Sequence, residues 1–209
     1  MIAHVVLAAG AGTRVGKPKA LIDLRGRSIL ERILTAGRNA GVDHLVAVFG
    51  AKKDEIRAHA LGASTEFVRG KSDTLLHLCD NDDWPTGQTS SLLVGLRAMP
   101  RNVEAFMIHP IDHCLVRDDH LVALMNAWKA DPSPDRIFRP FHDGEWGHPV
   151  LFAARYLKDF LSLDANTPAH RVYRANLPHV RPVEMPDDDC SFDLDTPDDL
   201  IAARARARP

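Results

Sequence analysis

Ile2-Ala3-His4-Val5-Val6-Leu7-Ala8-Ala9-Gly10-Ala11-Gly12-Thr13-Arg14-Val15-Gly16-Lys17-Pro18-Lys19 is the stretch on which the fold of this chain turns. Ile2 to Leu7 is a short apolar run without polar alternation, the pattern of a first strand buried on both faces of a parallel sheet. It gives way at once to small residues and glycines. Such residues let a backbone approach a ligand closely and accept left-handed turns. Successive backbone amides in such a loop form a concavity for anions. Arg14 and Lys19 add positive charge. The combination suits a triphosphate, with amides for the non-bridging oxygens and the two cations for charge that builds on the α-phosphate and pyrophosphate. The spacing is neither GxxxxGK[ST] nor GxGxxG, since position 15 is Val. The plain alternative is a surface loop with incidental basic residues, and the buried strand directly before it argues against that.

Working outward, Ser28-Ile29-Leu30-Glu31 reads as a capping box that opens a helix to about Arg38, stopped by Gly41. His44 to Phe49 reads as a second buried strand, Lys52 to His59 as a polar helix, and Thr65 to Val68 as a third strand. Cys79 to Gln88, with Pro85 and Gly87, reads as a loop, followed by a helix over Thr89–Ala98. Ala105 to Ile108 is a strand ending in His109-Pro110-Ile111-Asp112, and Asp118 to Lys129 is helical. His142-Asp143-Gly144-Glu145 is a hairpin turn between Ile137–Phe141 and Trp146–Phe152. Helices are expected near Ala153–Leu161 and Thr167–Ala175, and a last one starts at Thr196-Pro197-Asp198-Asp199. This order predicts an α/β fold: one doubly wound, mostly parallel, Rossmann-like sheet with a late antiparallel hairpin, residues 1–209 forming a single domain. Ligands of such sheets bind beyond the carboxyl ends of the strands, where the first loop and Asp112 fall.

The bulk numbers narrow the function. A formal net charge of -2 argues against a general nucleic-acid binder, because phosphate backbones attract a net basic face. Three cysteines, odd in number and far apart, make a disulfide framework or zinc site a poor reading. No apolar stretch approaches the ~20 residues of a membrane span, and the N-terminus lacks a basic leader. A cytoplasmic protein without membrane or nucleic-acid partners is the expectation.

The first loop, GxGxRxGxPK after a strand ending Leu7-Ala8-Ala9-Gly10, resembles the signature of the MobA-like NTP transferases. Three later segments are similar to that family in the same order: Gly87-Gln88-Thr89-Ser90-Ser91-Leu92, Gly147-His148-Pro149-Val150-Leu151-Phe152, and Asp193-Leu194-Asp195-Thr196-Pro197-Asp198-Asp199-Leu200. Together they most resemble the molybdenum cofactor cytidylyltransferase (MocA-like) branch; the guanylyltransferase branch more often has LAGG in the first loop.

The resemblance implies a nucleotidyltransferase that uses Mg²⁺ and CTP, takes a phosphate-bearing acceptor such as molybdopterin, and passes its product to a molybdoenzyme. Arg14, Lys19 and Asp112 are the expected catalytic residues. Leu7, Ala8, Ala9, Gly10, Gly12, Gly87 and Ser90 join Arg14 and Lys19 at the nucleotide, and Gly147, His148 and Pro149 lie on the acceptor side. Asp112 and Asp193 are the implied metal ligands. Here the usual D-x-P segment reads Asp112-His113-Cys114, with the proline earlier at Pro110; the alternative for Asp112 is a turn cap. Asp193 and Asp195 are expected on opposite sides of an extended segment, leaving Asp195 to order the Thr196 turn. His109, His113 and His148 cluster near the site without compact metal-ligand spacing. A sugar phosphate or other small phosphate is a second acceptor reading. A non-catalytic molybdenum-cofactor carrier is a third, against which the retention of Arg14, Lys19, Asp112 and Asp193 argues.

Overall fold

The computed structural model describes residues 1–69 and 73–208, with the backbone alone for residues 63–69. Its main sheet runs β10-β7-β9-β6-β1-β4-β5, with β8 beside β7. The strands are β1 (Ile2–Ala8), β4 (His44–Phe49), β5 (Leu75–Asp80), β6 (Ala105–Pro110), β7 (Ile137–His142), β8 (Glu145–Trp146), β9 (Val150–Ala153) and β10 (Val180–Glu184). A two-stranded ribbon, β2 (Asp23–Leu24) and β3 (Arg27–Ser28), follows the first loop. β1 pairs in parallel with β4 on one side and β6 on the other, and β4 pairs in parallel with β5. β9 is antiparallel to both β6 and β7, and β10 is parallel to β7. The expected α/β class, mostly parallel sheet and late antiparallel hairpin are all present.

Alternation along β1 decides which helix covers which face. His4 and Leu45 face Gly37 of α1 (Ile29–Asn39): a Cβ on Gly37 would sit 2.6 Å from Leu45 Cδ2 and 3.2 Å from His4 Nδ1. Val5 and Val48 face Gly95 of α3 (Gln88–Ala98), where a Cβ would sit 2.5 Å from Val5 Cγ1. Neighbouring residues of one strand thus meet helices on opposite faces, which is double winding at the level of single side chains. α4 (Asp118–Ala130) lies beside α1, and α5 (Tyr156–Leu161) beside α3. β1, β4 and β6 are buried along their whole length, as continuous apolar runs covered on both faces require.

Local signals hold where the chemistry is explicit. Ser28 Oγ accepts from the Glu31 amide at 3.1 Å and Glu31 accepts from the Ser28 amide at 2.7 Å, closing the expected capping box. Asp143 and Gly144 take positive φ in the β7–β8 turn. The expected third strand at Thr65–Val68 is overturned: α2 runs unbroken over Lys53–Arg69. A four-residue segment in which only Phe67 and Val68 are apolar cannot be told from helix by periodicity alone. The third strand is β5, which takes in Cys79 and Asp80 from the segment expected to be loop. β10 was not foreseen either; it carries Pro182, which an edge strand tolerates because one side of its backbone needs no partner.

Candidate active site

The carboxyl ends of β1 and β6 open onto a cleft of about 420 Å³. Leu7, Ala8, Ala9, Gly10, Gly12, Arg14 and Lys19 line it from the first loop, Trp84, Gly87, Gln88 and Ser91 from the α3 side, and Asp112 and Asp195 from below. Gly12 has φ +64, and a Cβ there would lie 2.0 Å from the Lys17 carbonyl oxygen. Only glycine lets the loop fold back on itself at that point. Among the described residues, the amides of Gly10 to Arg14 donate no hydrogen bond. They are the unspent donors that an anion-binding concavity needs.

Asp112 follows β6 and is the meeting point of two distant segments. Its carbonyl oxygen accepts from the Leu194 amide at 3.2 Å, which docks the Asp193–Asp195 segment beneath the first loop. Leu194 is fully buried, so the carboxylates on either side of it turn the other way, toward Asp112. One oxygen from each of Asp112, Asp193 and Asp195 lies within 4.8 Å of the others. The expected separation of Asp193 from Asp195 therefore fails, for a simple reason: residues two apart in an extended chain share a side. Asp112 Oδ1 is buried without a hydrogen-bond partner. Burial, followed by the nearby Asp112 charge, raises the Asp193 carboxyl pKa.

Asp195 is the hub of the charges. Lys19 Nζ donates to its Oδ1 at 2.8 Å, and Arg14 Nη1 to its Oδ2 at 2.9 Å. Lys19 Nζ also stands 3.7 Å from Asp112 Oδ2. The Lys19 hydrogen bond is the first cause of a lowered Asp195 pKa. Asp199 fixes the segment from behind, accepting from the Asp195 amide at 3.0 Å and the Thr196 amide at 2.7 Å. It sits in the first turn of α7 (Pro197–Arg206), so Thr196 closes a second capping box there.

Other expected site residues are placed differently. Ser90 is buried away from the cleft, accepting from Asn81 Nδ2 at 2.8 Å and bonding the Asp83 and Gly87 carbonyls. It shapes the turn into α3, while Ser91 lines the cleft. Gly147 packs where a Cβ would lie 2.5 Å from the Cys190 carbonyl oxygen, and its own carbonyl accepts from Arg139 Nε at 3.0 Å. Pro149 is buried behind it. Of the three acceptor-side residues, only His148 lines a cleft. That second cleft, of about 220 Å³, shares Leu7, Gln88 and Pro110 with the first.

The histidines remain neutral and form no metal cluster; among the described residues the only such group is the carboxylate trio. His109 Nδ1 lies 2.9 Å from His4 Nε2 in the core, where burial lowers the pKa of both, His4 to about 3. His113 and His148 stack at 4.5 Å, and burial lowers the pKa of His148 to about 3. Trp84, Ser91 and Arg139 were missed from sequence. Trp84 stood in a polar loop as an isolated aromatic, which was the available signal.

Comparison with known proteins identifies the family and the fold. The model of the MobA-like NTP transferase domain matches residues 4–180. The chain is 30% identical over 162 residues to the bifunctional protein GlmU of Rhodococcus opacus, covering 68% of this chain and 31% of that protein. It is 31% identical over 116 residues to the bifunctional IPC transferase and DIPP synthase of Rubrobacter xylanophilus, covering 54% and 24%. It thus spans under a third of the length of these curated relatives. Rv0371c from Mycobacterium tuberculosis superposes with a TM-score of 0.76 at 22% identity, covering 98% of this chain and 97% of that one. A nucleotidyl transferase from Methanothermobacter thermautotroptrophicus gives 0.73 at 22%, covering 98% and 96%. These two show a shared fold. The match over residues 4–180 says more: this chain belongs to the MobA-like NTP transferase family.

Proposed function

We propose that the protein transfers CMP from CTP to a phosphate-bearing acceptor of the molybdopterin type, and that its product is taken up by a molybdoenzyme. The observation that carries the transfer chemistry is the carboxylate trio beside Lys19 and Arg14, under a loop of unspent amides. An acceptor phosphate oxygen attacks the α-phosphorus in line. A new P–O bond forms as the bond to the β-phosphate breaks, and pyrophosphate leaves. Loop amides, Lys19 and Arg14 bind the triphosphate and neutralise charge that grows on the leaving group. Gln88 and Trp84 flank the nucleotide. A phosphate monoester at neutral pH carries its own nucleophilic oxygen, so no histidine base is required.

Asp112, Asp193 and Asp195 fit Mg²⁺, a hard cation that takes few protein carboxylates together with phosphate oxygens and water. The unpartnered Asp112 Oδ1 is a donor atom that such an ion would satisfy. When bound, the ion would supply charge neutralisation at the triphosphate. A structural relative, Rv0371c of M. tuberculosis, has been crystallised in complex with manganese. The choice of CTP rests on Ala9, whose methyl borders the first cleft, and on the GHPVLF and DLDTPDDL similarities. One methyl group discriminates by only ~1–3 kcal/mol. A second reading, a sugar phosphate as acceptor, is favoured by a likeness to 4-diphosphocytidyl-2C-methyl-D-erythritol synthase of Anaerococcus prevotii, TM-score 0.70 at 17% identity.

The test is pyrophosphate release from each of the four NTPs with Mg²⁺, with and without molybdopterin-bound molybdenum. Release that needs both CTP and that acceptor is expected. Comparable kcat/KM for CTP and GTP would remove the base assignment. Release with a sugar phosphate in place of molybdopterin would remove the acceptor.

A further inference from the structure

The three carboxylates of the first cleft stand together without an even share of cations. Asp195 has Lys19 and Arg14, and Asp112 lies near Lys19. Among the described residues Asp193 has no ion pair, although one of its oxygens lies within 4.8 Å of those of the other two. Like charges at that range repel. Something other than a counter-ion therefore keeps Asp193 in the group. The Leu194 amide, bonded to the Asp112 carbonyl, is one tie. Downstream, Asp199 secures the Asp195 amide. Upstream, the anchor is Asp189.

Asp189 is buried in the single helical turn Asp188–Cys190. Its Oδ2 accepts from Arg117 Nη1, and its Oδ1 accepts from Arg206 Nη2 at 2.6 Å. Arg117 stands at the start of α4 and ends the loop that carries Asp112. Arg206 is the last residue of α7, the helix that Asp195 leads into. Its guanidinium also lies 5.0 Å from the ring centroid of Phe192, next to Asp193. One carboxylate thus ties the three segments that bear Asp112, Asp193 and Asp195, and neither it nor its two partners lines the cleft. Flanking pairs widen the knot: Arg117 donates to Asp187 at 2.9 Å and Arg206 to Asp188 at 3.2 Å. The Arg117 and Asp189 side chains are only 13% and 10% exposed, so solvent ions screen this pair little. A staple for α7 alone would need only Arg206; Arg117 brings in the Asp112 loop.

We propose that Asp189 is a positioning residue for the metal site, gathering Asp112, Asp193 and Asp195 before an ion arrives. This rests on the reading of the trio as a Mg²⁺ site and goes beyond it, since Asp189 touches neither ion nor nucleotide. Carboxylates gathered in advance lose little freedom on binding. Loosening the knot therefore weakens the ion although no ligand atom is removed.

Mn²⁺ is the probe, followed by its electron paramagnetic resonance signal with the whole protein and no nucleotide. Asp189→Asn keeps shape and loses the charge that holds both arginines. It should weaken Mn²⁺ binding by about 10-fold or more, as expected when a partner behind metal ligands is removed. Arg206→Gln acts on a more exposed side chain and should weaken binding less, by about 3-fold or more. Arg206→Lys should recover part of that loss, since it keeps the charge but not the fork. The Arg206 variants carry the test if Asp189→Asn does not fold. Arg136→Gln breaks an ion pair to Asp131 elsewhere in the molecule and should leave Mn²⁺ affinity within about 2-fold, whatever it does to Tm. A second readout needs no metal. The Leu194 amide should exchange with solvent about 10-fold faster in Asp189→Asn, beyond any change at the Val5 amide of β1. Unchanged Mn²⁺ affinity or an unchanged Leu194 amide in the folded variants would overturn the proposal, as would an equal loss in Arg136→Gln. A wild type that binds no Mn²⁺, with Leu194 loosened as expected in the variant, would instead strike the metal reading and leave the gathering of the three segments standing.

Discussion

The two clefts hold their positive charge in opposite ways. In the first, the cations are already neutralised: Asp195 accepts from both Lys19 and Arg14, and Asp112 lies near Lys19. A bare triphosphate arriving there competes with the protein's own carboxylates. Arriving with a divalent cation, it gives those carboxylates a new partner and frees the two basic side chains. On the proposed reading, the arrangement favours a metal–triphosphate pair over either alone. In the second cleft Arg139 has only neutral contacts, so an anion can bind without displacing anything. Charge already paired couples two ligands, whereas unpaired charge accepts one.

The largest effect should come from breaking the paired side. Asp112→Asn keeps shape and loses charge, and should lower pyrophosphate release by roughly 10²–10³-fold, with partial recovery at raised Mg²⁺. Asp195→Asn should behave similarly, and the double variant should cost much less than the sum, because groups that act as a unit are non-additive. A magnesium titration of kcat/KM checks this. Additive losses with unaltered magnesium dependence would show that the two do not hold a common ion.

Next in size is the difference between the two cations. Lys19 is 14% exposed and stands between two carboxylates; Arg14 is 75% exposed and touches one. Lys19→Ala should cost about 10²-fold in turnover and Arg14→Ala distinctly less, since solvent screens the exposed charge. Steady-state kinetics on both folded variants decides it. A larger loss for Arg14 would mean that the loop closes further over the ligand than the free protein shows.

The smallest effect lies in the base that both clefts share. His4 on β1 and His109 on β6 are buried and bonded to each other, and burial lowers the His4 pKa to about 3. The unfolded chain binds a proton on this histidine below about pH 6.5, where the folded chain does not. Stability is therefore fully present above 6.5 and lost as the pH falls, at about 1.4 kcal/mol per unit for His4 alone. Thermal melts at pH 7.5 and 5 should differ by about 2 kcal/mol from this residue, and the pH slope should shrink in His4→Gln. A flat profile in the wild type would show that the pair is not held neutral.

Legibility tracked how local the determining interaction is. β1, β4, the Ser28 capping box and the helix start at Thr196 were readable because a run of apolar residues, or a Ser or Thr cap followed by acids, acts within its own segment. β5 and β10 were not, because edge strands carry polar residues or proline and owe their form to one neighbour. Ser90 and Ser91 are adjacent in a matching segment and both accept from Asn81 Nδ2, yet only Ser90 is also tied to the Asp83 and Gly87 carbonyls, which turn it inward. Arg139 gave no signal, since its meaning lies in the carboxylate it lacks.

The sequence by itself determined the α/β order, the glycine-rich loop after β1, and the residue types that the proposed metal and triphosphate chemistry calls for. These follow from backbone sterics and hydrophobic periodicity, which each segment carries alone. Only the tertiary structure decided that Asp112, Asp193 and Asp195 converge, that Asp195 holds both cations, and that Arg139 lines the second cleft with no carboxylate partner among the described residues. Those facts depend on the Leu194 amide reaching the Asp112 carbonyl and on β7 lying two places from β6 in the sheet. Charge pairing is set by distances of a few ångströms between residues up to 181 positions apart, and no local pattern encodes that.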